Sequence, residues 1–195
     1  SGEVVVVDIG LGEAATEQAR LETDGPEIRC NDAMPLLVAR ASDPDGHKYA
    51  RGHCLVLAGG MEGTGAARLA ARAALRAGAG LVTLGVPGSA LLAHASRGPD
   101  ALMLRRCNGA AGVAVLLEDR RRNAVVLGPA YGVGEDTRRA VRIVCESGRA
   151  AVLDADALMA FAGMAADLAA ATAISGRAVL TPHAGEFARL FAGES

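Results

Sequence analysis

Aromatic residues make up only 3% of this 195-residue chain, and tryptophan is absent. That scarcity leaves no series of stacking platforms for unpaired bases, and a net charge of −2 supplies no basic field for nucleic acid. Of 20 lysines and arginines only Lys48 is a lysine, so a lysine-based phosphate clamp has one candidate. No apolar run reaches the roughly 18–20 residues of a membrane span. The four cysteines, Cys30, Cys54, Cys107 and Cys145, are far apart, with no C-x-x-C pair. They offer neither a disulfide framework nor a zinc site, and buried free thiols in a reducing cytoplasm are the expectation. Ser1-Gly2-Glu3 lacks the positive start of a secretory leader.

What is present is the composition of a folded globular chain, 51% hydrophobic and 22% charged, at the length of one domain. With few aromatics, the core must be built from Ala, Val and Leu, which pack by close approach of backbones. Residues 1–46 differ from the rest. They hold ten acidic residues against three arginines, with a short apolar run at Val4–Val7 and a turn signal at Asp43-Pro-Asp-Gly46. This stretch reads as an N-terminal arm or linker.

From His53 onward short apolar runs alternate with helical stretches. The runs are Cys54–Ala58, Leu81–Val86, Ala101–Leu104, Ala124–Leu127, Ala150–Leu153 and Ala178–Leu180. Helices are expected over Gly65–Ala77, Ser89–Ala95, Gly109–Leu117, Asp136–Glu146 and Ala155–Ala162, and from His183 to Phe191. Arg68, Arg72 and Arg76 recur every four residues and read as a solvated face, as do Arg138, Arg139 and Arg142. Fully apolar strands alternating with helices predict a doubly wound, mostly parallel α/β sheet covered on both faces. In such sheets ligands bind beyond the carboxyl ends of the strands. Those ends are the loops Gly59–Thr64, Pro87–Ser89, Gly128–Gly134, Asp154–Ala157 and Thr181–Glu186.

Four of these loops carry a candidate and a plainer alternative. Gly59-Gly-Met-Glu-Gly-Thr-Gly65 follows a strand and opens a helix, where backbone amides attract anions. It lacks the third glycine of a dinucleotide fingerprint and the lysine of a P-loop, so a tight turn explains it equally well. Gly128-Pro-Ala-Tyr-Gly-Val-Gly134 is a second such loop with the same alternative. Asp154 and Asp156 suit Mg²⁺ or its water shell, or one of them caps a helix. Thr181-Pro-His-Ala-Gly-Glu-Phe187 is the most specific stretch. His183 and Glu186 share one helix face, and an acid in a first turn is also favoured by the helix dipole. His47, His53 and His94 read as surface or packing residues.

In this order the stretches resemble the ADP/ATP-dependent NAD(P)H-hydrate dehydratases of the ribokinase-like superfamily. The matching residues are His47-Lys48, Gly52–Gly60, Gly65-Ala66-Ala67, Leu75–Thr83, Gly128-Pro129, Leu153–Leu158 and Leu180–Phe187. Gly2–Gly10 resembles the last strand of an NAD(P)H-hydrate epimerase domain fused upstream. The resemblance implies repair of hydrated NADH or NADPH in the cytoplasm. A phosphoryl group passes from ADP or ATP, with Mg²⁺, to the ring hydroxyl, and phosphate then leaves. It implies substrate contacts at Gly65, Ala66, Gly128, Gly132, Asp154 and His183. Asp156 and Glu186 would serve nucleotide phosphate and Mg²⁺, Glu186 through water. Homotetramers occur in the family, and neither nucleic acid nor membrane is an expected partner.

The chain departs from the family at Ala130-Tyr131, where Gly-Leu is usual, at Met159, where Asn is usual, and at Met61, where Ser is usual. The family's later Lys-Gly segment, adenine pocket and Gly-Thr-Gly-Asp anion hole, with its catalytic Asp, have no counterpart before Ser195. Residues 47–195 are therefore expected to form part of a ribokinase-like domain, with negligible dehydratase activity by themselves. Two other readings compete: an inactive binding or oligomerisation module of the same descent, and another ribokinase-like small-molecule kinase.

Overall fold

The computed structural model describes residues 47–97 and 99–192, and the expected arm over 1–46 lies outside the described residues. Six strands form one sheet: β1 (His53–Leu57), β2 (Leu81–Val86), β3 (Leu102–Arg106), β4 (Arg122–Leu127), β5 (Ala150–Leu153) and β6 (Ala178–Leu180). All neighbours are parallel, in the order β3-β2-β1-β4-β5-β6. The expected doubly wound sheet is what forms. Seven α-helices connect the described strands: α1 (Thr64–Arg76), α2 (Leu91–Ala95), α3 (Gly109–Leu117), α4 (Glu135–Glu146), α5 (Asp156–Met159), α6 (Ala165–Ser175) and α7 (Ala184–Leu190).

The central strand shows why the order works. All five residues of β1 are buried, so helices must cover both faces. Leu55 and Leu57 enter one core with Val113 of α3, Val141 and Val144 of α4, and Phe161. Cys54 and Val56 point the other way and meet Ala67 and Ala71 of α1. Small residues on α1 let that helix lie close to the sheet, as its composition suggested.

Several expectations are corrected. Helix α6 was not anticipated, because its run of small residues carries little contrast between faces and only Leu168 and Ala171 are buried. Helix α5 is a single turn rather than a helix to Ala162, and Gly163, at φ +68°, turns the chain so that Phe161 is buried. Arg138 does not face solvent: it donates to the Ala160 carbonyl at 2.8 Å and pairs with Glu135 at 2.7 Å. Arg68 is half-buried, unlike Arg72 and Arg76. Of the two readings given to His53 and His94, packing holds: both are buried, and burial keeps both below the usual histidine pKa. No helix among the described residues is long and apolar enough to cross a membrane.

Between β1 and β4 the strand order reverses direction. That is the switch point where doubly wound sheets open a crevice.

Candidate active site

The loops leaving β1 and β4 meet across the switch point. A Cβ on Gly59 would lie 1.4 Å from the carbonyl oxygen of Ala130, and one on Gly63 would lie 2.3 Å from the Ala130 methyl. These glycines are there because one backbone lies on the other, not only to present amides. Ala130 itself has φ +56°, the left-handed region, at a position where the family usually has glycine. The clasp leaves a cavity on each side, and Tyr131 and Gly132 line both. The inner one, about 380 Å³, lies over β1–β3, and the outer one, about 570 Å³, lies beside Gly60–Gly63, Ser89 and Asp156.

The next pair of loops is joined by the two aspartates. A Cβ on Gly128 would lie 1.7 Å from the Asp154 carbonyl oxygen. Asp156 Oδ2 accepts from the Gly132 N–H at 2.8 Å, and Asp154 Oδ1 accepts from the Thr181 hydroxyl at 2.9 Å. Neither aspartate caps α5, so the capping alternative is corrected. The residue at that position is Ala155, held at φ +45° and ψ −115°. This backbone suits glycine and costs alanine of order 1–3 kcal/mol. Ala155→Gly is therefore expected to raise stability by about 1 kcal/mol, after the entropy glycine adds to the unfolded chain. Equilibrium urea unfolding measures this, and an unchanged or lowered midpoint would refute it.

Beyond β6, His183 caps α7. Its Nδ1 accepts from the backbone N–H groups of Gly185 at 3.0 Å and Glu186 at 3.3 Å. Glu186 Oε2 accepts in return from the His183 N–H at 3.0 Å, closing a capping box. Because Nδ1 accepts, the neutral ring carries its proton on Nε2, which lies 3.5 Å from Glu186 Oε1. The two side chains differ in access: His183 is 70% exposed and Glu186 10%. Histidine can therefore reach a ligand, whereas the glutamate is occupied by its own helix.

Gly65 and Ala66 are exposed on the first turn of α1, and nothing lies within 4 Å of a Cβ on Gly65. Candidates from four of the five loops thus gather beyond the strand ends. The Gly132 N–H donates to Asp156, and one oxygen of Glu186, Oε2, accepts from the His183 N–H. Thr181 as the Asp154 donor, and the strained Ala155, carried no spacing signal in the sequence. Cys107 lines the inner cavity, and burial raises its thiol to about 11, so it is a neutral wall and not a nucleophile. Burial also raises the Tyr131 phenol, which keeps its proton. Among the described residues no three metal-ligating side chains converge.

A parallel sheet of this order with its loops gathered at one end is a doubly wound α/β arrangement, and solved ribokinase-like proteins share it. A ribokinase-like superfamily protein of Enterococcus faecalis shares it, with a TM-score of 0.58 over 75% of this chain and 50% of that one, at 19% identity. The chain matches the NAD(P)H-hydrate dehydratase family over residues 54–194 and belongs to that family. Relatives include the bifunctional NAD(P)H-hydrate repair enzymes of Gloeobacter violaceus, 35% identical over 97% of this chain, and Salinibacter ruber, 37% identical over 100%. The chain spans 37% of the length of each. The ADP/ATP-dependent NAD(P)H-hydrate dehydratase of Bacillus subtilis, co-crystallized with ATP/Mg²⁺, is similar with a TM-score of 0.57 at 26% identity. That match covers 76% of this chain and 50% of the other.

Proposed function

We propose that this chain carries the hydrate-binding part of an ADP- or ATP-dependent NAD(P)H-hydrate dehydratase acting in the cytoplasm. In the proposed reaction a phosphoryl group passes from ADP or ATP to the hydroxyl of the hydrated nicotinamide ring. Elimination of phosphate then restores NADH or NADPH. The observation that carries this reading is the exposed His183 ring beyond β6, its Nδ1 bonded to the start of α7, on the same end of the sheet as the exposed turn Gly65-Ala66. His183 supplies a fixed donor for an oxygen of the hydrate, because its other nitrogen is tied to the start of α7. Asp156 and Asp154 hold the loops that shape the pocket. When bound, Mg²⁺ neutralises phosphate charge, and ATP/Mg²⁺ accompanies the Bacillus subtilis relative. The described residues hold no coordination set for it, so its ligands belong to phosphate, water or groups outside them. Fusion to an epimerase domain extends the same reading, since the curated relatives are bifunctional repair enzymes, and assembly into homotetramers extends it on the family resemblance alone.

His183→Asn tests it. Asparagine also caps helices, so α7 keeps its start while Nε2–H is lost. In the chain completed to the length of its relatives, hydrate affinity is expected to fall about tenfold, the value of one well-placed hydrogen bond. Nucleotide affinity is expected to change less than twofold. Calorimetric titration of NADPH hydrate and of ADP measures both, and equal loss of the two would refute the assignment.

A further inference from the structure

The clasp of Ala130 on Gly59 lies beside the inner cavity, which shares Tyr131 and Gly132 with the outer one. Its walls are apolar on three sides, from Ala58 at the end of β1, Pro87 after β2 and Cys107 after β3, with Tyr131 as an aromatic side. Two carboxylates, Glu135 and Asp136, line it together with no lysine or arginine, so it does not suit a phosphate. Its polar edge is the start of α4. There the Asp136 Oδ2 accepts from the Ala110 N–H at 3.0 Å, which fixes the carboxylate. Among the described residues no donor sits on its Oδ1. The opening N–H groups of a helix also have no carbonyl partner within it. The cavity thus offers a fixed acceptor beside backbone donors, under a flat apolar ceiling.

We propose that the inner cavity is a subsite for the amino-bearing edge of a planar heteroaromatic ring, an N–H₂ donor next to an acceptor. Adenine and the carboxamide of nicotinamide both present that edge. The proposal rests on the dehydratase reading, in which the substrate carries adenine and, on its hydrated and no longer aromatic nicotinamide ring, the carboxamide. The ring packs between Tyr131 and the strand ends, its N–H₂ donates to Asp136 Oδ1, and its acceptor meets the first amides of α4.

The test is amide chemical-shift titration of the 195-residue chain with two pairs of fragments: adenosine and inosine, nicotinamide and nicotinate. Either adenosine or nicotinamide is expected to shift the amides of Gly109 and Gly134–Thr137, and the one that does identifies the ring. Asp136→Asn keeps an oxygen for Ala110 and replaces the other by an N–H₂ donor. The amino-bearing fragment should then lose about tenfold in affinity. Its acceptor-bearing counterpart, inosine or nicotinate, should gain over wild type, which mere structural damage would not produce. Absence of shifts at those amides with any fragment overturns the proposal, as does loss without the counterpart's gain. NADPH hydrate is titrated alongside. Binding that shifts only Gly60–Gly63 overturns the subsite and leaves the dehydratase reading standing. Fragment binding without hydrate binding does the reverse.

Discussion

Gly59→Ala is expected to destroy the arrangement of the two loops at the switch point, with no second substitution able to restore it. The new Cβ would lie 1.4 Å from the Ala130 carbonyl oxygen and 2.5 Å from its carbon. Both are backbone atoms that every substitution at 130 retains. One loop must move, at a cost of about 3 kcal/mol, the upper end of ordinary overpacking. Gly63→Ala is the instructive contrast. Its Cβ would lie 2.3 Å from the Ala130 methyl, but the next nearest atoms of that residue are at 3.6 and 3.7 Å. Removing the methyl therefore removes the clash. The double variant Gly63→Ala/Ala130→Gly should recover the stability lost by Gly63→Ala, with a coupling of about 2 kcal/mol. Ala130→Gly alone also releases the strain of φ +56°. Urea unfolding of the four chains measures the cycle. A neutral Gly63→Ala, or a double variant no better than the single, would show that the loops are not in this contact.

This pair explains what the sequence disclosed and what it hid. Strands were legible because each holds a short apolar run, most of them ended by a turn residue, and the six runs appear as six strands within two residues of their expected bounds. The loops that follow them were legible as candidates because glycine and acids cluster there. The reason for the glycines was not. Gly59 and Gly63 are glycine on account of Ala130, about seventy residues away, and no local spacing encodes that distance. Likewise Asp154 and Asp156 were visible as a pair, but their partners Thr181 and Gly132 lie on other loops. His183 and Glu186 are the opposite case. Their capping box is wholly local, S/T-x-x-E logic with histidine in the first place, and it could have been read from the spacing alone.

The half of the site over β4–β6 depends on one more close approach, and Gly128→Ala is expected to undo it. Gly128 has φ +137°, a backbone that L side chains rarely adopt, and its Cβ would meet the Asp154 backbone at 1.7 Å from oxygen and 2.7 Å from carbon. Asp154 has little room to yield. Its N–H donates to Leu127 at 3.1 Å, and its carbonyl accepts from Ala157 at 3.0 Å. Displacing it pulls on the Thr181 hydroxyl and, through Ala155, on the bond that holds the Gly132 amide to Asp156. The strain and the clash together should cost about 3 kcal/mol or more. Asp156→Ala breaks only the Gly132 bond and should cost about 2 kcal/mol, the range for a hydrogen bond to a charged group. Hydrogen exchange separates the two. Asp156→Ala should expose the Gly132 amide alone, whereas Gly128→Ala should also expose the Asp154 and Ala157 amides. If Gly128→Ala leaves all of them protected and the urea midpoint unchanged, Gly128 does not hold these loops together.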